Sequence, residues 1–427
     1  RLWGLSQQQE GSRAYNMPGI YKLTGELNIP AIEASFQLLV QRHEILRTGF
    51  VENSEGSVRQ VIHAAANIPS FIEYYDLTHS GAPTLDALLD ELIHTGFLLA
   101  EPPLLRAGVY HTAEKEWVFA CVMHHIVSDG RSMVVLINEL LQCYQAFVKG
   151  ETPVLEPLAM QYKDYAVWQE QQINNNSVAA DKNYWLEQFS GPLPILALAT
   201  DQPRPQIRTF NGGVISLMID ADVSRNFKAI CKQEGATVYM GIVAAVKTLL
   251  YRYTGQTDII TGSPVVGRQH EELLSQIGFY VNTLALRTQL DAKNNFMNLL
   301  GAVRQHVLDG FAHQDYPFDE LINHLQQQWD LSRNPLFDVM VVYRDGEFEQ
   351  LVTKGGAGTL EVLPYPQPAS DSSKFDLTFT VAPQEDTFLL EIEYNSDLYV
   401  ADTVTHMASY WYNACYCIGT GYSALAT

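Results

Sequence analysis

Positive charge is scarce in this chain. Against 48 acidic residues stand 27 lysines and arginines, a formal charge of −21 over 427 residues. So acidic a balance argues against nucleic acid or an anionic membrane as partner, since both select basic patches. Cysteine is scarce too. Five in a chain of this size make no disulfide framework, and a reducing, cytoplasmic setting is expected. Cys415 and Cys417 form a C-x-C pair with no second pair nearby, whereas structural zinc takes four ligands, so no metal site is expected. Long apolar runs are missing as well: nothing resembles a signal peptide or a spanning helix, and the apolar stretch over residues 238–250 is short and carries Lys247. What is present is a globular composition, 47% hydrophobic and 18% charged, in a chain too long for one ordinary core. Two lobes are the default expectation.

The pattern is most pronounced between residues 117 and 150. A nearly unbroken apolar run, Trp117-Val118-Phe119-Ala120-Cys121-Val122-Met123, reads as a buried strand. His124-His125-Ile126-Val127-Ser128-Asp129-Gly130 follows. Then Met133, Leu136, Ile137, Leu140, Leu141, Tyr144, Phe147 and Val148 keep the three-or-four spacing of one helical face. Ser132 is placed to cap that helix and Gly150 to end it. Two histidines and an aspartate therefore stand at a strand-to-helix turn.

The turn restricts what the histidines can do. Neighbouring side chains on a strand point to opposite faces, so if the strand persists through His125 only one of the pair looks into a given cavity. The other satisfies its ring nitrogens locally. Asp129 precedes a glycine, where the backbone can bend, and a carboxylate buried at such a bend needs a cation. Both faces of the strand are apolar, so periodicity alone does not choose between the histidines.

The H-H-x-x-x-D-G string resembles the signature of condensation domains of non-ribosomal peptide synthetases, which are similar in fold to chloramphenicol acetyltransferase. The remaining motifs follow in order. Arg1-Leu2-Trp3-Gly4-Leu5 resembles the second half of the family's first motif, so the chain reads as a piece excised from a longer one. A strand is expected over Gly19-Ile20-Tyr21-Lys22-Leu23, and then a helix with Pro30 in its first turn and Ile32, Phe36, Leu39, Val40 and His43 on one face. Residues 42–50, Arg42 to Phe50, match the second motif; for Arg42 and Arg47, scaffold ion pairs are the better reading. Thr84 precedes a helix with Leu85, Leu88, Leu89, Leu92 and Ile93 inward. Residues 161–168 match the fourth motif. Polar Asn174-Asn175-Asn176-Ser177 and the proline- and glycine-rich stretch 191–205 mark a lobe boundary, placed between residues 176 and 177. Helices around residues 223–232 and 238–253 and a strand over 258–262 repeat the α/β order of the first half. Residues 277–287 read as a further strand and match the fifth motif. Residues 313–319 match the sixth, with Asp319 where glutamate is commoner, and residues 330–336 the seventh.

The resemblance implies an α/β fold of two acetyltransferase-like lobes, 1–176 and 177–427, arranged as a V-shaped pseudo-dimer with a central tunnel. It implies an acyltransferase forming an amide bond. A donor acyl or peptidyl thioester and an aminoacyl acceptor arrive on the phosphopantetheine arms of upstream and downstream carrier proteins, beside a neighbouring adenylation domain. No intrinsic cofactor is implied. His125 is the catalytic imidazole by family correspondence, with His124, Asp129, Gly130 and Arg268 supporting it. Arg268 is the first choice of partner for Asp129, and Arg42 the second. Ser128, Arg131, Ser263 and Asn282 are candidates for lining the tunnel. Arg131 stands where the family commonly has an aromatic or small apolar residue; it reaches either tunnel or solvent, the solvent reading being favoured.

The chemistry is modest in its demands. An α-amine has a pKa near 8, so roughly one molecule in ten is free base at pH 7. Orienting two arms can supply about 7–11 kcal/mol, against about 10²–10⁴-fold from a positioned imidazole. Other readings compete. A heterocyclising relative would carry aspartates for the histidines, and plant-type acyltransferases need a D-F-G-W-G string that this chain lacks. Val281-Asn282-Thr283 and Arg333-Asn334-Pro335 favour condensation over an epimerase, and the intact motif argues against a non-catalytic recruiting relative. An ester-forming or lipo-initiating member remains an alternative. Tyr15-Asn16-Met17-Pro18 and residues 123–130 look more like members that take an L-configured donor.

Overall fold

The apolar run forms β6 (Glu116–His124), and each residue from Val118 to His124 is at most 3% exposed. Burial on both faces is what such a run requires, and β6 accordingly lies inside a sheet. The computed structural model describes residues 2–6, 9–291, 293–325, 330–344, 360–368 and 370–419; Arg1, of the first motif, lies outside them. The chain divides into two compact units. Among the described residues the first takes those up to Gln171, Arg268–Val281 and 360–368, and the second takes the remainder.

In the first unit β6 is flanked antiparallel by β1 (Asn16–Thr24) and β5 (Leu105–Ala113), with β4 (Ile72–Asp76) parallel to β5 and β11 (Glu361–Pro364) on the outer edge of β1. Strands β2 (Thr48–Glu52) and β3 (Val58–Ile62) form a separate hairpin. Helix α3 (Ile29–Arg42) has the expected proline in its first turn, capped by Asn28, whose side-chain oxygen accepts from Ala31 N–H. It packs against α5 (Gly130–Val148). Thr84 caps α4 (Leu85–His94), which contacts β1, β5 and β6. Arg42 is taken up by Glu139 of α5 (3.1 Å), which also holds His43 at 2.6 Å.

The second unit is built on a sheet in the order β7 (Gly212–Ile219), β13 (Thr387–Asn395), β12 (Leu377–Gln384), β10 (Val339–Tyr343), β8 (Asp258–Val265), β9 (Asn282–Gln289). Its core is filled from α8 (Ala221–Gln233), α9 (Val238–Thr254), α10 (Phe296–Ala312) and the last helix, α12 (Ala401–Gly419). Lys247 lies on the buried face of α9, and its ammonium nitrogen is 3.0 Å from Ile259 O and 2.7 Å from Leu286 O.

Three sequence expectations change. A single break after residue 176 does not describe the units, because the chain returns to the first one twice. Arg268 is held there by Asp129, and β11 is held by its pairing with residues 21–24 of β1. The strand expected from Ile277 begins only at Asn282, because the backbone of residues 278–280 bonds to side chains instead of a strand ladder. Helix α5 starts at Gly130, with Asp129 and not Ser132 as its cap; Gly130 has no left-handed φ, so the bend needs no glycine there.

Candidate active site

Strand β6 ends on His124, and the chain turns at once. Val127 N–H donates to His124 O (3.0 Å), and Ser128 Oγ donates to the same carbonyl (3.0 Å). The two histidines meet opposite surroundings. His124 is fully buried. Its Nδ1 accepts Ile126 N–H at 3.1 Å, so in the neutral ring Nε2 carries the proton and points it at Ser6 Oγ, 3.3 Å away. Phe97 packs edge-on at 6.1 Å. Both ring nitrogens are thus spent on scaffolding.

His125 is only partly buried. Its Nδ1 lies 2.8 Å from Ser128 O, and a carbonyl can only accept, so Nδ1 holds a proton and in the neutral ring Nε2 is the acceptor nitrogen. Two aromatic rings neighbour it: Phe279, whose centroid is 5.2 Å away and nearly perpendicular, and Tyr15 at 6.4 Å. Cys121, buried in the strand just before the histidines, is not a rival nucleophile, because burial pushes its thiol up to about 12.

Asp129 organises the turn. Its Oδ1 accepts Ser132 N–H and lies 2.8 Å from both Ser132 Oγ and Arg268 Nη2; its Oδ2 accepts Tyr280 N–H at 3.2 Å. The pair is sealed, with side chains 1% and 0% exposed. Arg268 also donates to Leu273 O, to Gln276 O (2.7 Å) and to Ser132 Oγ (2.9 Å), and its guanidinium stacks 4.2 Å over the Tyr280 ring. Ser132 Oγ in turn accepts Gly278 N–H (3.1 Å) and lies 2.8 Å from Gly278 O. Gly278 has to be glycine: a Cβ there would stand 2.2 Å from the Tyr162 ring. Arg268, not Arg42, is therefore the cation beside Asp129.

Among the other sequence candidates, Ser128 is buried, with its hydroxyl spent on His124 O and its carbonyl holding His125. Arg131 is partly exposed and donates through Nε to Leu274 O at 3.3 Å. A Cβ on Gly130 would meet nothing within 4 Å. Ser263 and Asn282 belong to the second unit. Ser263 Oγ donates to Val341 O (2.9 Å) and accepts the Tyr239 hydroxyl. Asn282 donates to Gln314 O and Tyr316 O at 2.8 and 2.9 Å and accepts Phe318 N–H at 3.0 Å, fastening the loop at 313–318 to β9. Sequence reasoning missed Phe279, Tyr15 and Ser132 as neighbours of the site. Phe279 and Tyr15 lie within stretches that resemble the family, but nothing in their spacing marks them as flanking His125.

The arrangement offers one imidazole with its lone pair set by a carbonyl, on a turn stiffened by a sealed ion pair. The family model described as a condensation domain matches residues 1–420. A linear gramicidin synthase polypeptide of Brevibacillus parabrevis is 38% identical over 96% of this chain and 8% of its own length. Surfactin synthase subunit 1 of Bacillus subtilis (strain 168) is 37% identical over 96% of this chain and 11% of its own. The chain thus spans about a tenth of these relatives. The crystal structure of the X-domain from teicoplanin biosynthesis superposes with a TM-score of 0.90 at 26% identity, covering 98% of this chain and 93% of that one. Among the described residues, no helix is long and apolar enough to cross a membrane.

Proposed function

This chain belongs to the condensation-domain family of non-ribosomal peptide synthetases, and from that premise we propose that it forms an amide bond between two carrier-bound substrates with His125 as the catalytic base. The donor is an acyl or peptidyl thioester and the acceptor an aminoacyl thioester, each on the phosphopantetheine arm of a carrier protein, with an adenylation domain as neighbour. The acceptor amine attacks the thioester carbonyl, the C–N bond forms, and the C–S bond breaks. The proton lost by nitrogen passes through His125 Nε2 to the departing sulfur. The amine is already about one-tenth free base at neutral pH, so positioning does more than base strength.

The observation that carries the reading is the His125 Nδ1 contact with Ser128 O, which supports the tautomer a general base requires. His124 is a scaffold residue in this reading, as are Asp129 and Arg268. Ser128, Arg131, Ser263 and Asn282 are the candidates in this reading for lining the path of the substrate arms. Condensation between loaded donor and acceptor carriers is the test. His125→Ala is expected to lower the rate about 10²–10⁴-fold with an unchanged melting curve, whereas His124→Ala lowers the melting temperature. Equal small losses from two well-folded variants would refute the assignment.

A further inference from the structure

We propose that Phe279 is a positioning residue for His125, fixing the plane and the tautomer of the imidazole; the inference rests on the function proposed above. Phe279 is only partly buried, yet its backbone is fastened on both sides. Gly278 N–H donates to Ser132 Oγ (3.1 Å), the Phe279 carbonyl accepts the Tyr162 hydroxyl (2.9 Å), and Tyr280 N–H donates to Asp129 Oδ2 (3.2 Å). Ordering a loop residue costs conformational entropy. Here that cost delivers a partly buried ring to one place, 5.2 Å from the His125 centroid at an interplanar angle of 83°, an edge-to-face contact.

The contact has a specific task. The single hydrogen bond from Nδ1 to Ser128 O does not by itself stop the imidazole from rotating away from that carbonyl. Phe279 stands against one side of the ring and Tyr15 flanks it at 6.4 Å. Tyr15 is itself anchored, since its carbonyl accepts His125 N–H at 2.8 Å. A swing would break the Nδ1 bond and let the proton move to Nε2, removing the lone pair the reaction uses. The sealed Asp129–Arg268 pair, by holding residues 278–280, holds this ring too, and so acts on the imidazole through Phe279.

Two readouts test this. In protein labelled with ¹⁵N at histidine, the His125 ring signals are assigned by their loss in His125→Ala and read above the ordinary histidine pKa range. Wild type and Phe279→Tyr are expected to keep the Nδ1–H tautomer, while Phe279→Leu becomes a mixture. With loaded carriers, Phe279→Leu is expected to lower kcat on the order of 10–100-fold at unchanged KM, and Phe279→Tyr to restore it. A Phe279→Leu protein that keeps both tautomer and rate overturns the proposal, as does equal loss in the Leu and Tyr variants. If Phe279→Leu fails to fold, Phe279→Met is read by the same criteria. Should His125→Ala condense at the wild-type rate, the catalytic assignment fails, and the ring spectra still decide what Phe279 does.

Discussion

The first unit buries a charge together with its counter-charge, whereas the second buries an amine among carbonyls. Asp129 and Arg268 come from distant parts of the chain and meet at 2.8 Å, both sealed from water. Lys247 is equally buried, but its amine meets Ile259 O and Leu286 O. The consequences differ because desolvation disfavours a charge unless a partner compensates it. Asp129 and Arg268 each satisfy the other and together pin a loop beside His125. The lone amine yields instead: burial pushes Lys247 down to about 7, with Asp258 opposing only in part. In the first unit the buried groups answer each other across the ion pair, whereas Lys247 has only carbonyls to meet it and is left sensitive to pH.

Breaking the pair should have the largest effect. Asp129→Ala leaves a buried guanidinium uncompensated and is expected to cost about 3–5 kcal/mol, read by urea unfolding, with loss of condensation rate as residues 278–280 come loose. Normal stability with lost rate would make Asp129 a participant in the reaction, and the contrast between the units would lose its first half.

The second half is tested through pH. The unfolded lysine binds its proton up to an ordinary pKa near 10.4, the folded one only up to about 7. Between these values the unfolded state binds more protons, so stability rises with pH across that window, and below about 7 the full cost of charging the buried amine is present. Lys247→Met should remove this rise. Its stability relative to wild type is expected to be higher in acid than in alkali, by an amount on the order of a few kcal/mol. Unfolding curves that run parallel for the two proteins across this window would show that Lys247 keeps its charge.

The smallest effect sharpens the comparison inside the first unit. Gly130 adopts a conformation open to any residue, and a Cβ there meets nothing within 4 Å. Gly130→Ala should therefore raise stability by about 0.4–1 kcal/mol, seen as a higher melting temperature. A fall would mean that the helix start is more tightly enclosed than the pair beside it requires.

Much of this was legible in the residues. The run before His124 had to be a buried strand, the spacing after Asp129 had to be a helix, and Pro30 and Thr84 marked helix starts. Residues 277–281 resemble a strand in sequence, since apolar Ile277, Phe279 and Val281 alternate, yet the strand starts at Asn282. Their backbone partners are the side chains of Ser132 and Asp129, about 150 positions away, and no local pattern carries that information. The cap of the following helix is by contrast local: Asp129 accepts the N–H three residues on, and Ser132 looked like the cap because serine favours the same position.

By itself the sequence determined most of the elements and the order of the motifs, because periodicity and spacing are properties of neighbouring residues, and the family followed from the resemblance of those motifs to condensation domains. Only the tertiary structure decided how each histidine ring is held, which arginine meets Asp129, and that Phe279 stands against the imidazole. Those outcomes depend on which groups from remote segments share one desolvated space, where an unmatched proton or charge is costly.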